Sequence, residues 1–140
     1  MSGLYAAFRT NDGLETQGVW VDYATGGEKP ARFRIARAGG SNRKYGRVLD
    51  AKTKPVRRLM EIGALDDVVS DRLHAEVYAE SVILGWEDVT DEQGADLPFT
   101  KENCVKLLLD LPDLFRDLRS MATSLALFRA EVDREEDRKN

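Results

Sequence analysis

The stretch from Gly85 to Leu118, GWEDVTDEQGADLPFTKENCVKLLLDLPDLFRDL, constrains this chain more than any other. An apolar helical pattern runs into Gly85-Trp86, an acidic loop follows, and a second helical pattern starts at Phe99-Thr100. A helix, a loop and a helix are therefore expected. Gly85 falls where a helix end takes a left-handed residue. Thr100 can cap the next helix, with Phe99 placed to pack against Cys104. Pro112 disfavours a helical Leu111 but suits the first turn of a new helix, so two helices should meet at an angle there.

Upstream of this stretch, Asp66 and Asp67 open a helix at its positive end. Val69, Leu73, Val77 and Leu84 then recur at a spacing near four, predicting a core helix over about 66–85. Before it, Ser41 or Asn42 can cap an amphipathic helix over about 42–62. That helix should kink at Thr53–Pro55, with Thr53 capping the second half. Still earlier, Val19, Val21 and Tyr23 alternate, and after Gly26-Gly27 so do Ala31, Phe33 and Ile35. Alternation of this kind predicts a β-hairpin over about 19–36, with Trp20 and Asp22 opposite Arg32 and Arg34. Residues 1–18 have no decisive pattern.

The expected fold is thus α+β and predominantly α-helical: a hairpin followed by helices over about 42–62, 66–85, 100–111 and 112–130. At 140 residues one core is expected, within a single domain spanning 1–130. Residues 131–140 read as a charged, flexible tail. No apolar run is long enough to span a bilayer, and the N-terminus lacks the pattern of an export signal. A cytoplasmic protein is the expectation.

Inventory argues against most chemistry. His74 is the only histidine and Cys104 the only cysteine, so a zinc site or a histidine-based triad lacks its ligands. Cys104, near a helix N-terminus, could have a lowered thiol pKa but has no evident base partner, so a small buried or half-buried side chain is expected. Starting at Asp88, an EF-hand register would put Gln93 at position six and Phe99 at position twelve, where Gly and Glu are needed. Neither phosphate-binding glycine pattern occurs at Gly26-Gly27 or Gly39-Gly40. No enzyme, metal or cofactor is expected.

Charge is the remaining signal. Residues 30–58 carry ten Arg and Lys against Asp50 alone, a net of +9, leaving −13 for the rest of a chain whose total is −4. Arg43, Arg47, Lys54, Arg57 and Arg58 gather on one helical side and form a basic patch. They could serve a small nucleic-acid-binding regulatory protein through the 32–58 segment, although the remaining acidity would repel a polyanion. Docking to an acidic protein surface, self-association through another copy's acidic loop included, fits the bipolar charge better.

Two regions also resemble a known family. Residues 85–118 contain GW, a short acidic loop with an internal Gly, a Pro-Phe-Thr helix start and an LL…LPDLF junction, in that order. GVWVDY, FRIARAGGSNRKYGRVL and TKPVRR extend the likeness to roughly residues 18–118. In this wording the chain resembles the tail assembly chaperones of long-tailed (siphovirus-type) bacteriophages. The resemblance implies a non-enzymatic factor of viral morphogenesis that binds the tape-measure protein in the host cytoplasm and is absent from the mature virion. It also implies recruitment of tail-tube protein through a longer, frameshifted form. For such a factor Trp86, Phe99, Leu108, Leu111, Leu114 and Phe115 are the candidate partner-binding residues, with core packing the alternative for all six and for Trp86 and Leu108 in particular.

Overall fold

A computed structural model describes residues 3–129 of the chain. The expected hairpin is present: β1 (Val19–Tyr23) pairs antiparallel with β2 (Ala31–Ile35), with Val21 opposite Phe33. Period-two alternation puts Val19, Val21, Ala31, Phe33 and Ile35 on the buried face. On the other face Arg32 donates to Asp22 (2.9 Å) and to Glu87 (3.3 Å), and its guanidinium lies 4.6 Å from the Trp20 ring centre.

A third strand corrects the sequence reading. The expected core helix stops at Ser81, and β3 (Ile83–Glu87) pairs antiparallel with β2, where a helix end at Gly85 was expected. Gly85 lies opposite Arg34 in that ladder and is absent from the positive-φ glycines. The physical reason is that Val82, Ile83 and Leu84 are as apolar as a buried helix face yet β-prone, so periodicity alone cannot separate the two states. The Val82 carbonyl then accepts from the Ala36 N–H at 2.8 Å, starting the ladder. Asp88, at φ 57°, turns the chain out of the strand.

Residues 1–18 hold two short helices among the described residues, α1 (Leu4–Phe8) and α2 (Asp12–Gln17), the second capped by the Asn11 side chain on the Leu14 N–H. Beyond the hairpin, the expected basic helix is broken where Pro55 removes a donor. It comprises α3 (Arg43–Thr53), a 3-10 turn at Lys54–Val56 and α4 (Arg57–Glu61). Thr53 does not cap the second half, because its hydroxyl donates back to the Leu49 carbonyl at 2.8 Å. Nor does Asn42 cap α3 by its side chain; that amide is buried and donates to the carbonyls of Arg37 and Ser81.

The later helix starts follow the sequence closely. Asp66 accepts from the Val68 N–H at the head of α5 (Asp67–Ser81), and Thr100 accepts from the Asn103 N–H at the head of α6 (Lys101–Asp110). Leu111 leaves the helical region and α7 (Pro112–Ala122) begins at the proline. The end of α7 is earlier than the expected 130. Its last carbonyl, Ala122, accepts from Ala38, and a 3-10 turn at Ala126–Phe128 follows. Position 130 of that helix and the 131–140 tail lie outside the described residues.

These elements form an α+β, mainly helical fold. Helices α5, α6 and α7 cover one face of the three-stranded sheet, whose order is β1-β2-β3. Val21, Phe33, Ile35 and Ile83 meet Ala75, Tyr78, Cys104, Val105, Leu108, Phe115 and Leu118 in one continuous core. Both α3 and α6 pack on α5. There Glu80 is ion-paired with Lys52 at 3.5 Å and with Lys101.

Candidate partner-binding cleft

The described residues enclose an apolar cleft of ≈ 560 Å³. One wall is the hairpin, with Tyr23, Ala31 and Phe33. The other is the bend between α6 and α7, with Leu107, Leu111 and Leu114. Pro112 creates this wall, since the bend it imposes turns Leu111 outward, where it is 48% exposed. Tyr23 links the two walls by donating its hydroxyl to the Asp117 carboxylate. Its phenol pKa is raised, first by burial and then by that carboxylate.

The rim comes from the hairpin turn and from the loop after β3. It carries Asp88 and Asp96 against Lys29, giving an apolar floor with an acidic edge. Asp91 stiffens the loop by accepting from the backbone N–H groups of Gln93 (2.9 Å) and Ala95 (3.0 Å). This is a turn-forming aspartate, the usual use of that residue in a tight loop.

The six residues singled out from sequence divide into three groups. Leu111 and Leu114 line the cleft. Trp86 and Phe99 stand beside it in an edge-to-face aromatic row, 5.0 Å apart, and Trp86 continues to Phe33 at 5.8 Å. The Trp86 indole N–H donates to the Leu97 carbonyl at 2.8 Å, so this ring pins the loop to the sheet. Leu108 (1% exposed) and Phe115 (6% exposed) belong to the core. Phe99 thus stacks on Trp86 and also packs against the core cluster that contains Cys104. Tyr23, Ala31, Phe33, Val89 and Leu107 were missed, because only the pairing of β2 with β3 brings the hairpin to this loop.

The basic patch is exposed throughout. Arg57 is paired with Asp50 at 2.7 Å, whereas Arg43, Arg47, Lys54 and Arg58 have no ion-pair partner among the described residues. Other cations of the 30–58 segment are already engaged: Arg32 on the sheet, Arg37 with Glu15, and Lys52 with Glu76 and Glu80.

Cys104 takes the buried place expected of a small side chain without a base partner. It is fully buried, and burial pushes its thiol up to about 12, opposite to the lowering a helix N-terminus would cause. His74 sets its Nδ1 2.8 Å from the Ser70 carbonyl, one turn back on α5. Among the described residues no group of three or more His, Cys, Asp or Glu side chains could hold a metal ion. No helix among them is long and apolar enough to cross a membrane.

No curated protein and no solved structure matches the chain. The sequence profile of the YdaY prophage protein family matches residues 40–140, which take in α3 to α7, β3, the acidic loop and one wall of the cleft. With well over half of its length matched, the chain belongs to the YdaY prophage protein family.

Proposed function

We propose that this prophage protein is a tail assembly chaperone, a non-enzymatic factor that binds the tape-measure protein and assists assembly of the tail tube. The observation that carries the reading is the acid-rimmed apolar cleft over Leu107, Leu111 and Leu114. A long helical client exposes apolar stripes before assembly, and a groove of this kind takes such anchors from an amphipathic helix. Membership of a prophage family and the likeness over residues 18–118 agree with a role in phage morphogenesis. In this reading the protein acts in the host cytoplasm, leaves before the virion is complete, and recruits tail-tube subunits through a longer frameshifted form.

Co-expression with the tape-measure protein of the same prophage tests the reading. A soluble complex is expected, and Leu111→Asp with Leu114→Asp should abolish it while circular dichroism stays native. A tape-measure protein equally insoluble with and without this chain would sink the proposal. Four cations of the basic patch, exposed and without ion-pair partners among the described residues, favour one second reading, a nucleic-acid-binding regulator. A gel-shift titration at low salt decides it, since phosphate-driven binding is strongest there.

A further inference from the structure

Two surfaces of opposite charge stand apart on this fold. The loop over residues 88–97 holds Asp88, Asp91, Glu92 and Asp96 with no Lys or Arg. The stretch from α3 to α4 exposes Arg43, Lys44, Arg47, Lys54, Arg57 and Arg58, against Asp50 and Glu61. No ion pair among the described residues joins one surface to the other. The molecule does not neutralise its two poles internally.

Each pole also adjoins exposed apolar surface. The acidic loop edges the cleft, a concavity. The basic helix α4 exposes large apolar side chains: Leu59 is 44% exposed, Met60 39%, and Ile62, just after it, 66%. Three large apolar side chains exposed within four positions are a local concentration of apolar surface, and such surface marks contact sites. A short helix with apolar tips and basic flanks matches an apolar floor with acidic edges in both properties.

We infer that α4 of one copy docks into the cleft of a second copy. Leu59, Met60 and Ile62 cover Leu111 and Leu114, while Lys54 and Arg58 face Glu92 and Asp96. Knob and cleft are different surfaces of one chain, so the contact is heterologous, and each added copy presents a fresh knob or cleft to the next. Association should therefore grow with concentration and weaken with salt, because its outer contacts are exposed charge pairs.

Light scattering and sedimentation of the full chain test this, with two charge-reversed variants. Lys54→Glu with Arg58→Glu reverses the knob; Glu92→Lys with Asp96→Lys reverses the acidic loop, in which Asp96 lines the cleft. Asp88 is left in place because its φ of 57° suits a short polar side chain. Species larger than a monomer are expected for the natural chain at low salt, with association weakened at least tenfold at high salt. Each variant alone should be folded and monomeric, since like charges then meet. An equimolar mixture should associate again, because natural knob meets natural cleft and reversed knob meets reversed cleft. A monomer at every salt concentration overturns the inference. So does association indifferent to both variants, or a mixture that remains monomeric. The experiment uses this chain alone, so its failure leaves the client reading standing, and failure of the client experiment leaves this one standing.

Discussion

Glu15 on α2 is ion-paired with Arg37, just after β2, although its side chain is only 2% exposed. It also accepts from the Ser41 N–H at 3.3 Å, and the Arg37 N–H donates to the Glu15 carbonyl at 2.9 Å. One acid therefore fastens α2 to the end of β2 and to the head of α3. Removing its cation should hurt more than removing the acid. Arg37→Met strands a buried carboxylate and is expected to cost about 3–5 kcal/mol. Glu15→Gln leaves a guanidinium that still reaches water and should cost less. Urea unfolding of the two variants checks the order.

The same pair makes a pH prediction. Burial raises the Glu15 pKa, but the hydrogen bonds from Arg37 and Ser41 and the Arg37 charge outweigh it, so the net shift is downward from 4.5. Glu80 behaves alike: burial raises it, and Lys101 and Lys52 more than reverse the effect. A carboxylate with a lowered folded-state pKa binds protons more readily when unfolded. Its stabilisation is full above the unfolded value and is lost as pH falls through the folded one. Stability should thus decline below about pH 4.5, and Glu15→Gln should make that decline shallower, as read by melting temperature against pH.

Gly40 sits over this pair at φ +55°, and a Cβ added there would collide with the Glu15 carboxylate and crowd Arg37. Gly63 has a similar φ of +69° with open space around it. Gly63→Ala is expected to cost about 1 kcal/mol, the left-handed penalty alone. Gly40→Ala should exceed it by at least as much again, because the ion pair must also shift. Equal losses in the two variants would show that the Glu15–Arg37 geometry yields freely.

Cys104 should be inert. With the thiol buried and its pKa near 12, almost no thiolate is present at neutral pH. Labelling by a thiol-specific reagent is expected only at the rate of unfolding, and prompt labelling of native protein would contradict the burial.

Core and cleft can be separated by two leucines three residues apart. Leu108→Ala empties a site that is 1% exposed and is expected to cost about 2–5 kcal/mol. Leu111→Ala, at a site 48% exposed, should change stability by about 0.5 kcal/mol or less. Thermal melts of both variants report the contrast.

Much of this fold was legible before any coordinates. Asp66, Thr100 and Pro112 mark helix starts by local chemistry, supplying an acceptor for orphan N–H groups or removing a donor, and the alternation at 19–35 marks the hairpin. Local interactions act within a few residues, so the chain itself determined them. What only the tertiary structure decided depends on partners far away in sequence. Ile83–Glu87 became a strand because β2, about fifty positions earlier, offered an unpaired edge. Leu108 and Leu111 share one helical pattern, yet the bend at Pro112 and the packing of α6 on α5 buried one and exposed the other. The cleft exists because β2 and β3 carry the hairpin to the acidic loop, and no residue in either segment specifies that meeting by itself.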